Sequence, residues 1–153
     1  MKFDWGLLSC NSRATGREGR RLPASHDWRG ARYEWEPDER IRSKAAFDAE
    51  RLDTPLPMMP SLLQGLAANE FWAAWTRAEA LSKLFDVPVL HWIRTQPFAV
   101  PVMTTAAPVL MEAGRKCWTY TGVWSGKNLI FTCAWTDSET STSQTDCHEN
   151  RTL

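Results

Sequence analysis

Arginine and aromatic residues are interleaved early in the chain, in a pattern that could bind nucleic acid. The planar fork of an arginine side chain can contact phosphate oxygens, and an aromatic ring can stack on a base. The residues with this potential are Arg17, Arg20, Arg21, Trp28, Arg29, Arg32 and Trp35. A solvated, charged loop would produce the same pattern, so this stretch by itself does not separate the two interpretations.

A second group of aromatic and hydroxyl residues lies between residues 116 and 136. Its rings could stack on bases, and its threonine hydroxyls could reach phosphate or ribose 2′-hydroxyl groups. The members of this group are Trp118, Thr119, Tyr120, Thr121, Trp124 and Lys127. Together with the arginines, these residues favour binding of RNA by shape.

The histidine and cysteine residues do not form a recognisable catalytic or metal-binding pattern. The chain has no Cys-x-x-Cys and no His-x-x-x-His spacing, and the adjacent Cys147 and His148 are poorly placed to share one zinc ion. The Ser-Gly-Lys step at residues 125–127 lacks the rest of a phosphate-binding loop. The sequence therefore predicts a protein that is not an enzyme and has no metal ion or other cofactor.

The aromatic group at residues 116–136 must be positioned by a local element, and its composition predicts a β-hairpin. β-Branched and aromatic residues suit a pleated, half-buried surface, and a turn signal divides the stretch. A three-residue loop over residues 124–126, with Gly126 in the left-handed conformation, would pair Val123 with Lys127.

This pairing makes Cys117 and Cys133 direct neighbours. Because they would form a widely spaced, hydrogen-bonded pair, two buried free thiols are favoured over a disulfide. One face of the hairpin is then assigned to the core, with Cys117, Val123, Leu129, Phe131, Cys133 and Trp135. The other face is either covered by a helix at residues 61–85 or exposed as an aromatic platform, and it carries Trp118, Tyr120, Trp124, Ile130 and Ala134.

The remaining periodicities predict an α+β fold, with one antiparallel sheet of four to five strands and two main helices packed on one face. The helices are predicted over residues 38–52 and 61–85, where apolar residues recur at helical spacing. Residues 2–8 are a weaker candidate for an edge strand. The main predicted strands cover residues 31–36, 87–93, 98–104, 116–124 and 127–136.

Length and composition predict one domain over residues 1–136, followed by a disordered, acidic, Ser/Thr-rich tail at residues 137–153. Residues 9–27 are predicted to form a flexible, arginine-rich arm. The formal charge is zero, and nine tryptophans indicate an aromatic-rich core. With no apolar run that could cross a membrane and no signal peptide, the expected location is intracellular, in the cytoplasm or nucleus.

These observations predict a non-enzymatic nucleic-acid-binding protein that prefers RNA, in the style of a small viral or phage accessory protein. The alternative is a protein-interaction module, such as an adaptor, inhibitor or structural subunit, that uses the aromatic hairpin face. In that case a homodimer formed through the sheet is a further expectation, and no membrane partner is expected.

Overall fold

The computed structural model describes residues 1–11, 21–41, 43–58, 65–110 and 116–136. Within these ranges the chain forms two four-stranded antiparallel sheets and two α-helices. The first sheet contains β1 (Lys2–Phe3), β2 (Gly6–Asn11), β3 (Ala24–His26) and β4 (Arg32–Pro37). The second contains β5 (Ala45–Arg51), β6 (Ala106–Leu110), β7 (Lys116–Trp124) and β8 (Leu129–Thr136). The helices are α1 (Ala68–Phe85) and α2 (Val89–Thr95).

The strand order is β1-β2-β4-β3 in the first sheet and β5-β8-β7-β6 in the second. The predicted α+β class and the antiparallel pairing are therefore confirmed, and the strands are divided between two sheets. The predicted tail at residues 137–153 lies outside the described residues. The ends of the predicted flexible arm belong to strands instead, because Ser9 to Asn11 pair with β4 and Ala24 to His26 form β3.

The two sheets enclose an aromatic core. Trp35 from β4 and Trp135 from β8 lie 6.1 Å apart between ring centroids, and Trp5 lies 5.0 Å from Trp135. At another point of the same core Phe3 stacks on Tyr120 at 5.1 Å. Rings at these separations contribute edge and face contacts beyond simple area burial, so few aliphatic residues are needed here.

Helix α1 covers the opposite face of the second sheet. Its alanines and Leu81 pack against Ala46 of β5 and Ala134 of β8. The Glu70 side chain accepts a hydrogen bond of 2.8 Å from the Ala67 amide at the start of α1, and Asp86 ends the helix in the left-handed conformation. The predicted helix at residues 61–85 is confirmed from Ala68 onward, and residues 61–64 lie outside the described part.

The predicted helix at residues 38–52 is wrong, because Ala45–Arg51 is strand β5. Phe47 and Ala49 of this strand are buried in the core between the sheets, while Ala46 packs against α1. A strand covered on both faces shows no simple alternation of polar and apolar residues, and its alanines imitate helical spacing.

The strand predicted at residues 87–93 is also wrong, because Val89–Thr95 forms helix α2. Pro88 precedes its first turn, where a proline suits a helix, and Trp92 stacks on Phe85 at 5.7 Å. Residues 98–104 are not a regular strand either. Their one ladder contact is an isolated parallel bridge between Met103 and Thr121.

The register of the β7–β8 hairpin differs from the predicted one. Trp124 pairs with Leu129 around a 3₁₀ turn, and Asn128 rather than Gly126 adopts the left-handed conformation. Cys133 consequently pairs with Tyr120 rather than with Cys117. Cys117 and Cys133 are both buried and are not joined in a disulfide, as predicted.

We predict that Gly6→Ala destabilises the protein far more than Gly30→Ala does. Both glycines have positive φ angles, 145° at Gly6 and 80° at Gly30, so each substitution costs about 1 kcal/mol of backbone strain. At Gly6 a Cβ atom would also overlap the Glu36 carbonyl oxygen and approach the Trp35 ring nitrogen to 2.6 Å, whereas the space around Gly30 is open. Urea denaturation of the two variants gives the comparison, and equal losses of unfolding free energy would contradict the packing described at Gly6.

Candidate functional site

The turn between β3 and β4, residues 27–31, carries an exposed tryptophan and is held by hydrogen bonds to one buried carboxylate. The Asp27 carboxylate accepts hydrogen bonds of 2.9 Å from the backbone amides of Arg29 and Ala31, and one of 3.1 Å from the Tyr33 hydroxyl. All nine tryptophans lie in the described ranges, and Trp28 is the only exposed one, with 55% of its surface accessible. We refer to residues 27–31 as the Trp28 turn.

Arg29 orients the Trp28 ring. Its guanidinium carbon lies 4.7 Å from the ring centroid, and its Nη2 atom forms an ion pair of 3.1 Å with Asp53. Asp53 also accepts a hydrogen bond of 2.8 Å from Arg51, and this bond is the main reason that the pKa of Asp53 lies below its usual value. The Trp28 turn is thus tied to the end of β5 by charged hydrogen bonds.

Three more predicted binding residues lie on the β3–β4 and β7–β8 hairpins. Arg32 begins β4, pairs with His26 in the ladder, and donates a hydrogen bond of 2.9 Å from Nε to Glu34. Arg21 is exposed just before β3, at the end of the β3–β4 hairpin that lies away from the Trp28 turn. Lys127 is exposed in the β7–β8 turn, which is joined to the end of β5 near Asp53 by a hydrogen bond of 2.9 Å from the Leu52 amide to the Asn128 carbonyl. The predicted binding residues Arg17 and Arg20 lie outside the described residues.

The remaining predicted aromatic residues belong to the core between the sheets. Trp35 is fully buried, so its ring is closed to a base. Trp118, Tyr120 and Trp124 are half-buried and pack against the same core, and the Lys116 ammonium lies 4.5 Å from the Trp118 centroid. The aromatic residues of the predicted platform are therefore covered by the first sheet, whereas Ile130 and Ala134, which were assigned to the same face, pack against α1.

The two predicted threonines lie beneath α1. Thr119 and Thr121 are 2% and 1% exposed, on the face of β7 opposite to Tyr120. The Thr121 hydroxyl lies 2.9 Å from that of Thr132, which in turn lies 3.1 Å from that of Thr76 on α1. These hydroxyls satisfy one another inside the protein and are not available to an external ligand.

A buried carboxylate cluster between β5 and α1 was not anticipated from the sequence. Asp48 is buried, and its Oδ1 atom accepts hydrogen bonds of 2.5 Å from Lys83 and 2.8 Å from Ser25. Its Oδ2 atom is enclosed without a hydrogen-bond donor among the described residues. Glu50 and Glu79 complete the cluster around Asp48. The sequence did offer one signal for this cluster, the acidic residues Asp48 and Glu50 two positions apart. Residues with this spacing share a face in a strand but not in a helix, and a helix was predicted here.

Burial raises the pKa of Glu50 to about 7 and that of Glu79 to about 8, and the negative charge of Asp48 adds to both effects. Protonated Glu79 can supply the hydrogen that the Oδ2 atom of Asp48 lacks, and its hydrogen bond with Asp48 raises its pKa further. Groups with such values exchange protons near neutral pH. Ion-pair networks inside stable cores produce similar shifts, so the cluster accounts first for pH-dependent stability.

Comparison with protein-family models, curated proteins and solved structures finds no significant match to this chain. In the described ranges, no helix has both the length and the apolar character needed to cross a membrane. Nor do three or more histidine, cysteine, aspartate or glutamate side chains meet there in a group suited to a metal ion.

We predict that the unfolding free energy falls as the pH rises from about 5 to 9, and that Glu79→Gln reduces this fall. A carboxyl group with a raised pKa binds its proton more tightly in the folded state than in the unfolded state. Its stabilising contribution is therefore complete below the ordinary value of 4.5 and is lost as the pH passes about 7 for Glu50 and about 8 for Glu79. Both side chains are partly exposed, so the combined loss is roughly 2–4 kcal/mol.

Urea denaturation at several pH values measures this slope. Glu36→Gln, at an exposed glutamate on β4, is the matched control and should keep the wild-type slope. Equal slopes for the wild-type protein and the Glu79→Gln variant would exclude the cluster as the source.

Proposed function

We propose that this protein binds single-stranded nucleic acid at the Trp28 turn, with RNA as the favoured form. The observation that carries the proposal is the 55% exposure of Trp28 on a turn fixed by Asp27, next to the guanidinium of Arg29. A rigid, exposed ring beside a cation offers base stacking and phosphate attraction at one point. Arg32 lies beside the turn at the start of β4, and Arg21 lies at the far end of β3, where a bound strand that runs along the hairpin would reach it.

A single strand suits this surface better than the end of a duplex. Capping a base pair needs a broad aromatic platform, and the residues expected to form one are packed between the sheets. One exposed ring can instead stack on one unpaired base. The threonines expected to read ribose hydroxyls are buried, so the preference for RNA rests on the higher accessibility of unpaired bases in RNA loops.

The charge of the surface is modest. Arg29 pairs with Asp53 and Arg32 pairs with Glu34, so part of the positive charge is neutralised within the protein. We therefore expect weak binding with a shallow salt dependence. If Arg21, Arg29 and Arg32 each contact one phosphate, the logarithm of the association constant should fall with the logarithm of salt concentration with a slope of about −2.

We predict that Trp28→Ala weakens binding to labelled single-stranded RNA by roughly tenfold or more, because it removes a stacking surface. Fluorescence anisotropy with oligonucleotides of about 12 nucleotides measures the loss for RNA, DNA and duplex probes in parallel. Leu90→Ala, at an exposed apolar residue on α2, is the matched control and should bind as the wild type does.

The charge contribution is tested separately. The double variant Arg21→Ala/Arg29→Ala should flatten the salt slope, whereas Arg94→Ala on α2 should leave it unchanged. The proposal fails if the wild-type protein binds none of the probes at low salt, or if Trp28→Ala binds as tightly as the wild type.

A protein partner is the second candidate, and one apolar groove favours it. The groove has a volume of about 160 Å³ and is lined by Leu52, Ala73, Val100, Met103 and Val123 among others. Val100 and Val123 on its walls are each 41% exposed, and Val102, two residues from Val100, is 68% exposed. This surface replaces the aromatic hairpin face as the place where a second chain could dock.

If the groove binds a second copy of the chain, the wild-type protein should self-associate with rising concentration. Val123→Asp would place a charge on the wall of the groove and should abolish the association. Light scattering measures both, with Leu7→Asp on β2 as the control for a charge added at another exposed apolar residue. A wild-type protein that stays monomeric excludes a second copy as the occupant.

A further inference from the structure

A cavity between α1, α2 and β6 is lined by one cation, Arg77, that has no carboxylate partner among the described residues. The cavity has a volume of about 140 Å³, and its walls include Ala78, Leu81, Trp92, Pro97 and Val109. Two polar side chains interrupt this apolar lining, those of Arg77 and Gln96. The elements around it are separate from the Trp28 turn.

Arg77 stands out among the described arginines. Its Nε atom is enclosed by the protein and has no hydrogen-bond acceptor, and the guanidinium forms no ion pair within the described ranges. By contrast Arg29, Arg32, Arg40 and Arg51 each have a carboxylate partner.

An unpaired cation at such a place is costly for the fold. Burial lowers the pKa of Arg77, because desolvation disfavours the charged form, although a guanidinium remains protonated at neutral pH. A well-packed apolar residue would fill the same space without this cost. A destabilising charge that lines a cavity is typical of a residue kept for a ligand.

We propose that this cavity binds a carboxylate carried on a small apolar group, with the carboxylate on Arg77 and the apolar group against Trp92 and Leu81. The guanidinium fork matches a carboxylate, and the Gln96 amide can donate a second hydrogen bond. A single cation in a mainly apolar cavity suits a singly charged carboxylate better than a phosphate. The volume fits a group of about the size of benzene.

The ligand can come from two sources, a free small carboxylic acid or the carboxyl end of a peptide with an apolar last residue. Benzoate and isocaproate represent the first source. An acetylated dipeptide that ends in leucine, with either a free or an amidated carboxyl end, represents the second. Benzamide and sodium chloride separate the requirement for charge from that for an apolar group.

Heteronuclear NMR of the nitrogen-labelled protein gives a direct readout, because the enclosed Nε–H of Arg77 has its own resonance. We expect benzoate or the free dipeptide to shift this resonance with a saturable curve, and benzamide and the amidated dipeptide to leave it in place. Arg77→Met should remove the resonance and weaken carboxylate binding by about tenfold or more, as measured by calorimetry. Arg94→Met, on the exposed side of α2, should bind as the wild type does.

The same variant tests whether Arg77 is retained for binding rather than for folding. Arg77→Met should raise the melting temperature by roughly 2–4 °C, since it removes a half-buried charge that has no ion-pair partner among the described residues. The proposal is overturned if no carboxylate probe shifts the resonance, if chloride alone shifts it as strongly as benzoate, or if Arg77→Met lowers the melting temperature while carboxylate binding persists.

Discussion

Burial of β8 on both faces is the constraint on which the rest of the structure depends. Its residues from Leu129 to Trp135 are all buried, with exposures from 0% to 5%. Leu129, Phe131, Cys133 and Trp135 face the first sheet, and the residues between them face α1. A single strand thereby joins two cores, and the first sheet and α1 must both be in place for either core to exclude water.

This arrangement determines where polar groups are tolerated. Thr132 has no route to solvent, so its hydroxyl is matched by those of Thr76 and Thr121. Asp48, its neighbour across the ladder, is matched by Lys83 and Ser25. A buried hydrogen-bonding group is costly only when it lacks a partner. Two buried polar atoms lack a partner among the described residues, the Oδ2 atom of Asp48 and the Nε atom of Arg77. A protonated Glu79 can donate to the first, so Arg77 on α1 is the more informative of the two.

The demand for aromatic residues in the core also limits the surface. The tryptophans of the β4, β7 and β8 strands are used to fill the space between the sheets, where large rings replace aliphatic residues. The exposed ring of Trp28 is an exception that packing does not explain, since it lies on a turn already stabilised by Asp27. Residues that the fold does not need are the better candidates for binding.

Local sequence determined the features that depend on neighbouring residues. The α+β class, helix α1 (Ala68–Phe85), strand β4 and the two strands of the hairpin all follow from periodicity, β-branched composition and end signals. The grouping of Trp28, Arg29 and Arg32 at one turn was also visible, because they are close along the chain. Tertiary structure alone decided which residues share a face and which are covered. A hairpin register shifted by three residues placed Trp118 opposite Trp135 and turned the expected platform inward, and burial on both faces made the alanine-rich Ala45–Arg51 a strand. Contacts between residues distant in sequence set both outcomes, and local propensity is too weak to compete with the free energy of burying a strand on both faces.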